Sequence, residues 1–439
     1  DDNVGVVLNK TGISIGEPTS INSNKTNHVK FGKKVALINI NKGKEILRYG
    51  AVIGIAKKNI KVGSLVDHTN MKIPDAANLS KIPFKGNVKP RNDVDSNFSF
   101  MGYRNNDGSV GTRNYLAISS TVQCVSGVVS HAADIIKKEL LPKYPNVDGV
   151  ISLDHSYGCG IAINADNASI PNKTISNLAK NPNFGGQAMF VGLGCEKFQK
   201  TMIDIKDYSF ISLQGNANDG FKSMIEEIIV KARKHLSELN KRNREECYLA
   251  DLVIGVQCGG SDIFSGLTAN PLIGKLSDLI VSHGGSIIFS EITEVRDAAE
   301  ILIKRSLNES IATKLKDEFK WYDKYLAQSG VDRKANTTPG NIAGGISNIV
   351  EKAMGSVVKS GTSCISDVIS AGDVMQNKGL NFLAGPSSDF VCGTLQMAAG
   401  ANMHIFTTGR GTPYSLDGFP TIKVASNNNL YEKWEDIMI

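Results

Sequence analysis

Three times in this chain an apolar run ends in a turn of small residues that carries a cysteine. Residues 149–153 run into Asp154, His155 and then Cys159. Residues 188–193 run into Gly194, Cys195 and Glu196. Residues 252–256 run into Gln257, Cys258, Gly259, Gly260 and Asp262. A short apolar run bounded by glycine reads as a buried strand of a parallel sheet. Ligands of open α/β sheets gather at the carboxyl ends of such strands. Cysteine and histidine bind iron or zinc, and carboxylates act as ligands or as acid/base groups. The spacing therefore leads us to expect Cys159, Cys195 and Cys258 to converge on one polar, metal-capable site of an enzyme, with His155, Glu196 and Asp262 beside them. Cys124 follows a further apolar run and is expected as a fourth member at the same edge.

Each of these residues also has a plainer reading. His155 and Cys159 offer a metal one nitrogen and one sulfur, or they sit in a turn whose glycines satisfy the backbone. Cys195 is a reactive thiolate if a helix starts there, or a buried thiol in a tight turn. Gly259 and Gly260 permit close backbone approach to a ligand. Asp262 binds a metal or caps the next helix. Glu291 and Glu294 are ligands, acid/base groups or first-turn acids of a helix. Arg410, between Gly409 and Gly411, suits a carboxylate clamp, because its planar guanidinium pairs bidentately with planar anions; otherwise it marks a surface turn. The turns at 338–341, which include Asn341, and at 359–361 can hold a substrate through backbone N–H groups. There is no P-loop and no glycine-rich dinucleotide fingerprint.

The elements that must position these residues follow from hydrophobic pattern. Residues 1–72 read as a small β domain, with short strands at 4–8, 35–39, 46–49 and 52–56 between Gly, Asn and Lys turns. Residues 73–99 are polar, contain Pro74, Pro83 and Pro90, and read as an unpacked linker. From Phe100 onward apolar runs alternate with longer amphipathic segments, the signature of βα units and a parallel sheet. Phe221, Met224, Ile225, Ile228, Ala232, Leu236 and Leu239 recur at helical spacing. A new strand begins at Leu252, so a middle α/β domain is expected over 100–246 and a last domain over 247–439. Further strands are expected at 115–118, 287–289, 382–384 and 404–407.

Composition narrows the class. The 439 residues carry 49 Lys and Arg against 43 Asp and Glu, a net charge of +6 with the basic residues scattered. No basic arm is present, so nucleic acid is not an expected partner. No apolar run reaches the roughly 18 residues of a membrane helix. The seven cysteines are odd in number and sparse, which fits a reducing cytoplasm rather than a disulfide framework. The chain opens Asp1-Asp2-Asn3, so a processed or trimmed start is expected.

Residues 149–171, 181–199, 257–273, 290–296 and 407–414 together closely resemble the altronate/galactarate dehydratase family. The run from Leu153 through Asp154, His155 and Cys159 to Asp166 is more similar to the galactarate branch, as are Asn181 to Gly186 and Ser388 to Gly393. The resemblance runs end to end. It implies an amino-terminal β-clip domain of the SAF type, a middle domain implicated in dimerisation, and a Rossmann-like carboxyl-terminal domain, and hence a homodimer. It also implies removal of water from a sugar diacid, aided by ferrous iron; with galactarate the product is 5-dehydro-4-deoxy-D-glucarate. Family members carry a histidine ahead of Asp2 and continue past Ile439, so further groups are expected outside this sequence.

Such a reaction is a β-elimination. A base removes the proton α to a carboxylate, and a general acid protonates the departing β-hydroxyl. A divalent metal can hold carboxylate and hydroxyl together. On this reading His155 is a base or ligand, and Asp262 and Glu291 are ligands or acid/base groups. Cys124, Cys159, Cys195 and Cys258 hold iron, and Arg410 meets the far carboxylate beside Gly259, Gly260 and Asn341. Thiolates suit an iron–sulfur cluster and oxygen ligands suit a lone ion; the sequence leaves both open. The alternatives are an altronate or other sugar-acid dehydratase, and a non-catalytic sugar-acid binding protein.

Overall fold

The apolar runs form two parallel sheets in the computed structural model, which describes residues 2–15, 27–86, 98–154, 159, 165, 168–203, 205, 208–215 and 220–438. The middle sheet has four parallel strands in the order Gly149–Leu153, Tyr115–Ser120, Ala188–Gly192, Ser209–Ser212. The larger sheet has six parallel strands in the order Ile365–Ile369, Leu380–Leu383, Ser286–Phe289, Val253–Gly259, Met403–Thr408, Thr421–Ala425. Parallel sheets are covered on both faces, which is why their strands read as continuous apolar runs. Every residue of Ser286–Phe289 and of Leu380–Leu383 is buried.

The helical spacing near 221 resolves as Phe221–Leu239, whose Ile225, Ile228, Ala232, Leu236 and Leu239 are buried. That stripe packs with Leu116, Ile118, Met189 and Val191 of the middle sheet. A second core joins the two sheets: Ile151, Leu153, Ile175 and Phe190 on one side meet Ile288, Ile369, Leu383 and Leu395 on the other.

The amino-terminal region is built of short antiparallel strands. Val4–Val6, Lys34–Ala36 and Leu65–Val66 form one sheet, and Glu45–Arg48, Ala51–Ala56 and Met71–Lys72 another. They enclose a small core of Val4, Ala36, Ile40, Ile46, Ile53, Ile60 and Val66. A further antiparallel sheet pairs Ser99–Arg104 with Val110–Gly111 and Glu245–Tyr248, tying the start of the middle region to its end.

The segment expected to be an unpacked linker is packed over its first half. Leu79 and Ile82 enter the core of the larger sheet, and the Ile82 carbonyl accepts a hydrogen bond from Lys316 at 2.7 Å. Two apolar side chains spaced three apart anchor this stretch despite its polar composition; residues 87–97 lie outside the described set.

In the larger sheet Val253–Gly259 lies between Ser286–Phe289 and Met403–Thr408. The chain leaves the first towards Ser286–Phe289 and leaves Met403–Thr408 towards Thr421–Ala425, in opposite directions across the sheet. Such a divergence opens a crevice at the carboxyl ends, where ligands of this architecture bind. No helix among the described residues is long and apolar enough to cross a membrane.

The sheet depends on a few large side chains. Phe382 is fully buried, with its ring 5.1 Å from Phe289 and 5.8 Å from Phe319. Phe382→Ala should lower stability by about 3–5 kcal/mol, measured as a shift of the urea midpoint at unchanged slope.

Candidate active site at the ends of the parallel strands

Register sets the first part of the site. Val256 pairs with Phe289 in adjacent parallel strands, so Cys258 and Glu291, each two residues further on, emerge side by side. The Cys258 N–H donates to Glu291 Oε2 at 3.2 Å. Glu291 itself has φ 74°, a left-handed conformation rare for a residue with a side chain and costing about 1–3 kcal/mol. It opens the short helix Ile292–Val295, which carries Glu294. Opposite stands helix Ile349–Val357 with its continuation Val358–Ser360. Lys352, Ser356 and Lys359 recur there at spacings of four and three, on one face. Lys359 Nζ lies 2.6 Å from Glu291 Oε2, 2.7 Å from Ser356 Oγ and 3.3 Å from Cys258 Sγ. Lys352 Nζ lies 2.8 Å from Glu294 Oε1, and Ser356 donates to Glu294 Oε2 at 3.0 Å. All six residues are buried.

Burial and charge act against each other here. Burial, then the charge of Glu294, pushes the Glu291 carboxyl up to about 8. Burial works the same way on Glu294, yet Lys352 and Lys359 outweigh it and hold that carboxyl below its usual range. Burial disfavours the Lys359 ammonium, but Cys258, Glu291 and Glu294 more than offset it and raise its affinity for a proton. The Cys258 thiol is pushed up to about 12, first by burial and then by Glu294, the direction opposite to that of an activated thiolate.

Cys258, Glu291 and Glu294 are the one set, among the described residues, of three His, Cys, Asp or Glu groups with ligand atoms within 4.8 Å of one another. The Lys359 ammonium bonds to two members of that set and already supplies a positive charge there. These donors therefore do not fit a metal ion, and Cys258 is not joined there by the other thiols: it ends a strand of a different sheet from Cys124, Cys159 and Cys195.

The crevice above these strand ends is more open. A β-carbon on Gly259 would lie 2.5 Å from the Phe406 ring and 2.8 Å from Asp389 Oδ1, so only glycine lets the Asp389 carboxylate settle on this backbone. Asp389 is half-buried, and its carboxyl is raised by burial first and Glu294 second. Gln257 Nε2 donates to Asp389 Oδ1 at 3.4 Å, while Gln257 Oε1 is buried without a partner among the described residues. Gly260 has φ 58° and faces Thr408 and the Arg410 stem. Arg410 is exposed and forms no ion pair among the described residues; its Nε lies 3.5 Å from where a β-carbon on Gly340 would stand.

Asp262 and Asn341 have structural duties. Asp262 Oδ1 accepts from the Ser265 N–H at 2.8 Å and from Ser426 Oγ at 2.9 Å, and Asn427 reaches Oδ2 at 3.2 Å. It fastens the turn after Val253–Gly259 to the loop after Thr421–Ala425; it does not cap the next helix, Ala269–Ser282, whose N-cap is Thr268. Asn341 closes the capping box of helix Pro339–Ala343 and donates to the Ser261 carbonyl at 2.8 Å, so it supports the crevice wall.

The other three thiols belong to the middle sheet. Cys124, Cys159 and Cys195 follow three neighbouring strands, at the carboxyl edge, and all are exposed and free of disulfides. Glu196 is buried. Its carboxylate accepts from Thr121 Oγ1 at 2.7 Å, Leu193 N at 3.1 Å and Gly194 N at 2.5 Å, stapling the Cys195 loop to the one that leads to Cys124. His155 lies outside the described residues. A cavity of about 520 Å³ is lined by Asp154, at the carboxyl edge of the middle sheet, and by Ala384, Pro386 and Phe390, beyond a strand end of the larger sheet. Loops at the carboxyl ends of both sheets thus meet at one opening, as sites between domains commonly do.

Lys352, Ser356 and Asp389 were not singled out from sequence, and Lys359 was read only as part of a turn. The signal available was three charged residues, Glu351, Lys352 and Lys359, on a segment whose other residues are apolar or small (349–360), since unpaired buried charges are rare.

Three family models match in succession: the altronate/galactarate dehydratase SAF domain over residues 1–74, the D-galactarate dehydratase/altronate hydrolase second domain over 102–240, and the D-galactarate/altronate dehydratase carboxyl-terminal domain over 249–438. A galactarate dehydratase (L-threo-forming) of Escherichia coli K12 is 47% identical over 100% of this chain and 86% of its own. The chain belongs to the galactarate/altronate dehydratase family. Members also include altronate dehydratases of Bacillus subtilis 168, 35% identical over 92% of this chain and 80% of that one, and of E. coli K12, 31% identical over 98% and 87%. Family membership makes this chain a hydro-lyase.

A carboxyl whose proton is held more tightly in the folded chain stabilises it fully at low pH, and that contribution fades as pH rises through the folded value. For Glu291 the window runs from about 4.5 to about 8. Across it, the melting temperature of wild type should fall relative to that of Glu291→Gln, read by calorimetry in parallel pH series.

Proposed function

We propose that this protein dehydrates galactarate. The observation that carries the reading is the end-to-end likeness to a galactarate dehydratase, well above the likeness to the two altronate dehydratases. The crevice supports it chemically. Galactarate is a dianion, and Arg410, exposed and without an ion pair among the described residues, presents a guanidinium fork for its distal carboxylate. Burial, and then Glu294, raise the Asp389 carboxyl above its usual range, the direction that suits a group protonating the departing hydroxyl. His155 is assigned as the base at the α-carbon. The buried Glu291, Glu294, Lys352 and Lys359 form the rigid floor of this site.

Iron is assigned to Cys124, Cys159 and Cys195. Three free, exposed thiols on adjacent loops suit iron in a cluster better than a lone ion, since a cluster spreads its thiolate ligands over separate irons. When bound, iron would supply Lewis acidity toward the substrate carboxylate and hydroxyl. Free thiols at all seven cysteines support a reducing cytoplasm, and the middle domain is assigned to homodimer formation on the resemblance.

Anaerobic turnover with and without ferrous iron tests the reading, with the 2-keto product detected directly. Galactarate should be consumed in an iron-dependent manner and altronate at least about ten-fold less efficiently; the reverse order would make altronate the substrate, and binding without turnover would mark a non-catalytic binder. Cys159→Ser and Cys195→Ser should lose bound iron and visible absorbance together with activity; full iron in both would remove the thiol assignment. Arg410→Lys should raise KM for galactarate by roughly 10- to 100-fold, the equivalent of one charged, bidentate contact.

A further inference from the structure

The helix that carries the buried lysines has a second face. Glu351, beside Lys352 on Ile349–Val357, points to the amino-terminal domain and is 2% exposed. Its carboxylate takes Lys34 Nζ at 2.9 Å on one oxygen and Arg48 on the other. Both cations reach further. Lys34 donates to the Gly345 carbonyl at 2.8 Å and Arg48 to the Ile263 carbonyl at 3.2 Å. Asn348, capping the helix, donates to the Ile53 carbonyl at 2.9 Å.

These contacts fall on two pieces of the larger domain. One is the approach to and first turn of the helix that presents Lys352, Ser356 and Lys359. The other is Ile263, next to Asp262, in the loop that begins at Gly259 and Gly260. Tyr49 enters the same seam: it holds φ 58°, the Arg48 guanidinium lies 4.4 Å over its ring, and a β-carbon on Gly266 would stand 2.5 Å from its hydroxyl. A domain that opened at each turnover would have to hydrate and bury three charges every cycle, which argues for a fixed brace.

We propose that the amino-terminal domain is a fixed part of the catalytic centre, with Lys34 and Arg48 as positioning residues that hold the lysine helix and the 259–263 loop in register through Glu351 and the Ile263 carbonyl. The inference rests on the dehydratase reading of the site. Loss of either cation leaves Glu351 buried and half-paired, so the helix must shift and move Lys359 relative to Glu291 and Cys258.

The test uses the full chain as wild type, Lys34→Met, Lys34→Arg and Arg48→Lys. Lys34→Met and Arg48→Lys should lower kcat for galactarate by about ten-fold or more, with KM nearly unchanged because Arg410 is untouched, and should displace the pH–rate profile. Lys34→Arg should restore most of kcat. Independently of turnover, amide hydrogen exchange at 349–360 and 259–263 should quicken in the two weakened variants and stay at the wild-type rate in the middle sheet. Folded Lys34→Met and Arg48→Lys proteins with wild-type kcat, pH profile and exchange would overturn the proposal, as would exchange that quickens uniformly over the chain. Should Lys34→Met fail to fold, Arg48→Lys decides by the same readouts. Absence of turnover in wild type would overturn the dehydratase reading alone, and the exchange pattern would still decide the brace.

Discussion

A charge buried away from water must be met by an opposite charge, and this constraint organises the centre of the molecule. Along twelve residues, 349–360, one carboxylate faces outward and two ammonium groups face inward. Glu351 meets Lys34 and Arg48 of the amino-terminal domain. Lys352 meets Glu294 at 2.8 Å, and Lys359 lies between that carboxylate, at 4.0 Å, and the Glu291 carboxyl, at 2.6 Å, at the ends of the larger sheet. Breaking a buried pair by removing one partner costs about 3–5 kcal/mol, so each of the three pieces is fixed by the other two. The left-handed backbone at Glu291 is strain of the kind such surroundings can sustain.

Above this floor lies a softer layer. The divergence of the chain on either side of Val253–Gly259 opens a crevice, and glycines at its rim let Asp389 lie against the backbone. Arg410 and Asp389, at the crevice, are more exposed than the charged groups below them. The division suits the proposed elimination, since preorganised charge below costs nothing to reorganise during reaction. The middle sheet adds its own edge, where Glu196 spends its carboxylate on Thr121, Leu193 and Gly194. A residue that looked like a metal ligand beside Cys195 is instead the staple that shapes the thiol loops.

The sequence by itself determined the strands, the parallel α/β class and the loops that carry chemistry, because buried parallel strands and amphipathic helices write their periods directly into the chain. It placed Arg410, Gly259, Gly260 and Glu291 at strand ends, and helix Phe221–Leu239 by its apolar stripe. The tertiary structure decided which of those ends meet. Cys258 and Cys195 occupy equivalent positions in similar motifs, yet strand order assigns them to different sheets. Lys359 and Lys34 come from segments more than 300 residues apart in sequence, and nothing local distinguishes a buried lysine from a solvated one. Asp262 was open as a helix cap, a metal ligand or a catalytic carboxyl, and its bonds to Ser426 and Asn427, from far along the chain, were not legible in the sequence. Periodicity is a local property and was legible; the pairing of charges across domains is a property of the assembled core, where long-range packing alone fixes who faces whom.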